Sequence, residues 1–256
     1  AYAWKEKSWF NSLKGNPVTI KSPDEDEITA RQKQYISNFF NKMENQWSTY
    51  LDLNSFLRHF LVGELSGNTD TYWSVFMYKE RNEDLLHVGP VWDFDLAFDN
   101  DQRIYPVNGH RDYLYRDGGS CAGQMRTFVD NIVVKDAAAK RQMLTIWDEA
   151  RQSGLTEENM IAYIDRLEAD IQQSQRLNFL RWPILNQRVH QNPPTKGSFL
   201  AEVQVLRTYM KERFAWMDKK LGYTYVPNGI SELHVDRTLP YQVYSLSGQP
   251  CGNSLE

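Results

Sequence analysis

Two groups of acidic residues bracket a run of aromatic and branched side chains between Leu65 and Asn100, and this arrangement restricts the chain's folding more than any other feature. Trp73 to Glu80 is rich in strand-forming residues, Arg81 to Asp84 is polar, and Leu85 to Trp92 is apolar again. That order predicts a β-hairpin with its turn at 81–84. Asp70 stands just before the first strand; Asp93 and Asp95 stand just after the second. Antiparallel pairing sets the start of one strand beside the end of the next, so the three carboxylates are expected at one end of the hairpin. Gathered carboxylates repel one another unless a cation or a shared proton relieves them, which marks the place as a site.

The flanks read as helices. Ser22-Pro23-Asp24-Glu25 has the chemistry of a helix start, with a hydroxyl cap, Pro at the first position and acids at the positive end of the dipole. Ile28, Tyr35, Ile36, Phe39, Phe40, Met43 and Trp47 then form one apolar face. Asp52 is placed to cap a second helix, which Gly67-Asn68 ends just before Asp70. From Asp99 to Gly123 the chain is polar and glycine-containing, and is expected to be a long loop. Helices are predicted from Val133 to Arg151, from a Thr156 cap towards Pro183, and up to Leu221. A small sheet followed by a helical bundle gives an α+β class. After Pro227 the alternation of ISELHVDRTLPYQVYSLSG predicts short strands, so the chain divides into a domain at 1–226 and a β-rich, truncated appendage at 227–256.

Composition removes several function classes. A net charge of −4 offers no electrostatic footprint for nucleic acid. No apolar run reaches the roughly 18–20 residues that span a bilayer. The five histidines are scattered without ligand spacing, so zinc is not expected. Cys121 and Cys251 either stay as thiols or pair in an oxidising compartment. The start at AYAWKEKSWF and the final Leu-Glu read as a processed or truncated product with a cloning scar.

ELSGNTD, an aromatic strand ending MYK, and GPVWDFDLAF follow one another in an order that resembles the CotH kinase family, the spore-coat-protein-H-like atypical kinases. KSPDEDEITARQKQYI before them, and RLNFLRWP and ERFAWMDKKL after them, extend the resemblance over roughly Asn16 to Leu221. VYSLSG in the tail is similar to the start of C-terminal modules on exported Bacteroidetes proteins. The resemblance implies an atypical protein-kinase-like fold, ATP as donor, and Ser or Thr of exported or surface proteins as acceptor. It places Mg²⁺ on Asp93, with Asp95 as a further or alternative ligand, and it puts Asp70 in the catalytic segment. Asn68 would orient Asp70 or share in metal binding, and Lys79 would either snorkel from a strand edge or meet a phosphate.

The chain departs from the family pattern in two places. Ser74 and Val75 stand where an amide is expected, which puts a second metal ligand in doubt. No glycine-rich phosphate loop and no paired Lys and Glu precede the motifs, so the nucleotide-binding lobe reads as missing and the chain alone is expected to be inactive. Two other readings stay open. One is a non-catalytic surface or coat protein that keeps the fold for binding. The other is a glycoside hydrolase, in which two carboxyl groups flank a sugar stacked on aromatics. The bland alternative for Asp93 and Asp95 is a turn that hydrogen-bonds its own backbone, and Asp99, Asn100 and Asp101 read as solvated loop.

Overall fold

The computed structural model describes residues 6–72, 74–117 and 123–227, and in the tail the backbone of Val243–Tyr244 and Pro250–Gly252. Two compact units emerge, Ala1–Tyr225 and Val226–Glu256. The expected strands of the tail are described only as the antiparallel pair β5 (Val243–Tyr244) and β6 (Pro250–Gly252), and the question of a Cys121–Cys251 bridge falls outside the described residues, as does Trp73. The larger unit is mixed and mostly helical, in keeping with an α+β class.

It opens with a two-stranded antiparallel ribbon, β1 (Trp9–Asn11) on β2 (Pro17–Thr19), packed through Phe10 against Phe40 of the first helix. That helix, α1, runs over Ala30–Asn45 rather than from Pro23. Its start is decided by Thr29 and Gln32: the Thr29 hydroxyl accepts from the Gln32 N–H while the Gln32 side chain accepts from the Thr29 N–H. This reciprocal box satisfies two otherwise unpaired donors, which a Pro at the first position cannot match. After one turn of helix, α2 (Trp47–Tyr50), comes α3 (Leu53–Ser66), capped by Asp52 as the sequence predicts.

The unit is built around α3. Leu57 and Phe60 are fully enclosed, and so are Met210 of α9 (Phe199–Leu221) and Ile132 of α5 (Gly123–Val133). Each side chain of this size contributes roughly 1.5–3 kcal/mol on burial. The helix expected from Val133 to Arg151 is present as α6 (Ala137–Gln152), which begins after Asp136, whose carboxylate accepts from the Ala139 N–H; a separate helix, α5, precedes it and ends at Val133. α4 (Leu114–Asp117) and the start of α5 thus take up part of the expected loop. Thr156 caps α7 (Glu157–Asp170) as expected, and a break at Ile171 separates it from the exposed α8 (Gln172–Arg181). Trp147 of α6 donates to Asp218 of α9 at 2.7 Å, joining the later helices to the core.

The hairpin is present but short. β3 (Met77–Tyr78) pairs with β4 (His87–Val88), with Met77 opposite Val88 and Tyr78 opposite His87. One more bond, from the Gly89 N–H to the Phe76 carbonyl at 2.9 Å, follows the same register. Pro90 then has no N–H to offer, and the ladder stops. The hairpin docks on the start of α3, where His87 Nδ1 meets Asp52 at 2.8 Å and the Val88 N–H donates to Ser55 Oγ at 3.0 Å.

Candidate active site at the end of helix α3

Asp70 is placed by the way α3 ends. Gly67 closes the helix in the left-handed region at φ 66°, where a Cβ would stand 2.7 Å from the Tyr209 hydroxyl. Glycine is therefore required for conformation and for space. The next residues fold into a tight 3-10 turn, Thr69–Tyr72, rather than an extension of the strand. The turn lies so close to α3 that any side chain at Gly63 would collide with Thr71. Asn68 Oδ1 accepts from the Asp70 N–H at 3.0 Å, and the Asp70 carbonyl accepts from the Ser74 N–H at 3.0 Å. Asn68 and Thr69 are buried, while the Asp70 carboxylate reaches the surface.

Beneath this turn is a buried ion pair. Glu64 and Arg213 are both fully enclosed, with Arg213 Nη2 3.0 Å from Glu64 Oε2. The same carboxylate accepts from the Tyr72 hydroxyl at 2.6 Å and from the Leu114 N–H, while Arg213 Nε donates to the Glu64 carbonyl at 2.7 Å. Burial pushes the Glu64 carboxyl up, against the pull of Arg213 and Tyr72. The network links the turn that carries Asp70 to α9. It was not expected from the sequence, where Glu64 and Arg213 are charged residues within otherwise apolar stripes.

Asp101 also differs from expectation: it is not solvated loop but fully buried. Its Oδ2 accepts from the Thr69 hydroxyl at 2.6 Å and from Arg103 Nη2 at 2.7 Å, and its Oδ1 accepts from the Arg103 N–H at 2.9 Å. Arg103 Nε is shared between both oxygens. Burial by itself would raise this carboxyl; the hydrogen bonds from Arg103 and Thr69, with the guanidinium charge, outweigh it and hold Asp101 below the usual carboxylate range. Arg103 Nη2 also lies 3.4 Å from Asp70 Oδ1. Asp99 is half-buried and accepts from the Val107 N–H at 2.7 Å, and burial pushes its carboxyl up.

Asp93 and Asp95 come from the other side. Past Pro90 the chain stays beside the first strand: Trp92 donates to the Ser74 carbonyl at 2.7 Å and packs edge-on against Phe76, with ring centres 4.9 Å apart. Trp92 is an exposed clasp rather than a core aromatic. Asp93 adopts φ 60°, which Asp tolerates better than most residues. The loop is tied back by the Asn100 amide to the Asp95 carbonyl at 2.7 Å and by the Phe98 N–H to the Ser66 carbonyl at 2.6 Å. Asp93 is pushed above the usual range by its hydrogen bond with Asp95, by slight desolvation, and by the charges of Asp95 and Asp70. Asp93 therefore feels the charge of both other expected carboxylates, that of Asp95 more strongly than that of Asp70. A narrow cleft of about 10 Å³ separates Asp70 and Ser74 from Trp92 and Phe94, with His59 in its lining.

Lys79 is not brought to this place. It lies at the turn end of the hairpin, where its ammonium donates to the Glu80 and Glu83 carbonyls and stands over the rings of Phe39 and Tyr35 at 5.1 and 5.6 Å. Among the described residues no group of three or more His, Cys, Asp or Glu side chains has the geometry of a metal cage. Mg²⁺ does not require one, since it takes one or two carboxylates and completes its shell with waters and phosphate oxygens. The Asp93–Asp95 pair, whose mutual repulsion a cation would relieve, fits that donor set.

No helix among the described residues is long and apolar enough to cross a membrane. No curated protein matches the chain, and no solved structure does. A protein-family model described as CotH kinase protein matches residues 1–217, and the chain belongs to the CotH kinase family.

Proposed function

We propose that the end of α3 is the phosphoryl-transfer site of an atypical, CotH-type kinase that moves the γ-phosphoryl group of ATP to a Ser or Thr hydroxyl of an exported or surface protein. The observation that supports this reading is the cleft that Asp70 shares with Trp92 and Phe94, the residues on either side of Asp93, Phe94 also adjoining Asp95, in a member of this family. Asp70 is the candidate base, held by Asn68 through its backbone and by Arg103 through its carboxylate. It takes the proton of the acceptor hydroxyl as that oxygen bonds to phosphorus, and the β,γ-bridging oxygen leaves with the electron pair of the broken bond, as ADP. Asp93 and Asp95 would hold Mg²⁺, which when bound neutralises the phosphate oxygens. Lys79 stands outside this reading because its charge is engaged at the far end of the hairpin.

The test is calorimetric titration with ATP, with and without Mg²⁺, of this chain and of a version extended at its N-terminus, together with transfer of labelled phosphate to a Ser-containing peptide. Mg²⁺-dependent binding by the extended version, abolished by Asp93→Ala, is the expected result, and at 100 times its Kd the ligand should stabilise the fold by about 2.7 kcal/mol. Affinity unchanged in Asp93→Ala removes that residue from the site. The second reading, a non-catalytic surface or coat protein, is favoured by the narrowness of the cleft beside Asp70, which has room for a water rather than a nucleotide. Absence of nucleotide binding at any Mg²⁺ concentration selects it.

A further inference from the structure

We propose that Arg103 is the protein cation that meets the γ-phosphate of the bound nucleoside triphosphate, with Asp101 as its anchor; this rests on the reading of the site as an ATP-using one. A site holding Asp70, Asp93 and Asp95 repels a triphosphate, and one divalent ion leaves much of that repulsion in place. Arg103 lies within the same cluster, 3.4 Å from Asp70.

Its geometry is that of a held tool rather than a drifting surface side chain. Nε and Nη2 both bond the Asp101 carboxylate, and the Arg103 N–H bonds it as well, so the guanidinium plane is fixed. Asp101 is itself fixed by Thr69, the residue next to Asp70 in the same turn. Arg103 and Asp70 therefore share one rigid frame, and the rotamer freedom that an arginine normally loses on binding an anion is already spent. These bonds leave Nη1 for a ligand, on a side chain that is 42% exposed. A guanidinium that only neutralised a buried carboxylate would have no need of this outward edge. Arginine also suits the task chemically, because Nη1 still carries N–H donors and a charge-assisted hydrogen bond from it to a phosphate oxygen is among the stronger ones.

The experiment compares ATP and ADP affinity, in Mg²⁺, for the full chain and for Arg103→Ala and Arg103→Lys. Arg103→Lys keeps a charge against Asp101 and serves if the alanine variant fails to fold. A γ-phosphate contact predicts that ATP affinity falls about tenfold or more, the worth of a charge-assisted hydrogen bond, while ADP affinity stays within about twofold. A merely structural arginine would weaken both nucleotides alike or neither, and that result overturns the proposal while leaving the site reading intact. If neither the unaltered chain nor its N-terminally extended version binds either nucleotide, the site reading fails and the role of Arg103 fails with it.

Discussion

Asp70 and Asp93 lie close enough for one charge to act on the other, yet the chain holds them in opposite ways. Asp70 stands on a turn whose neighbours Asn68 and Thr69 are buried, over an enclosed Glu64–Arg213 pair, with Gly63 and Gly67 giving the room to pack it there. Asp93 sits on an exposed loop in a left-handed conformation, beside a second carboxylate and behind an exposed tryptophan. The first is positioned by the core, and the second lies on a loop that is tied through Phe98 to Ser66 and through Asp95 to Asn100. A proposed base gains from being fixed before the substrate arrives, whereas proposed metal ligands that repel one another are completed only by the cation.

The strongest way to break the contrast is to remove the buried support. Arg213→Met leaves Glu64 enclosed without its counter-charge, and a loss of about 3–5 kcal/mol in denaturant unfolding is expected. A loss below the scatter of ordinary surface substitutions would mean that Asp70 does not depend on the core. Thr69→Val tests the next layer. It removes the hydroxyl bond to buried Asp101 and should lower stability by about 1–2 kcal/mol, since Arg103 still satisfies the carboxylate.

A smaller effect belongs to the hairpin that leads to Asp93. His87 lies between Glu83 and Asp52, and its hydrogen bond to Glu83, then that to Asp52, raises its pKa above 6.5. Its contribution to stability is therefore complete below about pH 6.5 and is lost as pH rises through the folded-state value. Asp52 runs the other way. Burial raises it, but the bonds from His87 and the α3 backbone win and depress it, so its contribution is lost only as pH falls through that lower value. Melting temperature measured against pH should decline above pH 6.5, and His87→Gln should flatten that decline. The smallest effect is expected at Asp93. Its raised pKa means that the ionised form burdens the folded state, so Asp93→Asn should leave the melting temperature at neutral pH unchanged or slightly higher. A clear fall would show that the exposed loop is structural after all.

Much of the frame around the site was legible from local chemistry. Asp52 and Gly67 bound α3 because a carboxylate at a helix start and a glycine just past its end each satisfy groups in their own turn, and Thr156 does the same for α7. The true start of α1 was equally available, in the spacing of Thr29 and Gln32, but Ser22-Pro23 offered a competing signal. Arg103 left no such trace. An aspartate followed two residues later by an arginine is common in loops, and nothing local tells that Thr69, far back in the chain, will bury that aspartate.

The sequence by itself determined the caps of α3 and α7, the presence of a hairpin and the family, since periodicity, capping and motif order act over a few residues at a time. Only the tertiary structure decided which charges are enclosed and which face water. Glu64 and Arg213 are buried against each other, and Asp101 is buried with the help of Thr69, all partners distant in the chain. Lys79, beside a motif in sequence, is turned to the opposite end of the hairpin by the rings of α1 that it covers. Burial of a charge depends on its partners, and the approach of those partners is set by the packing of the whole unit.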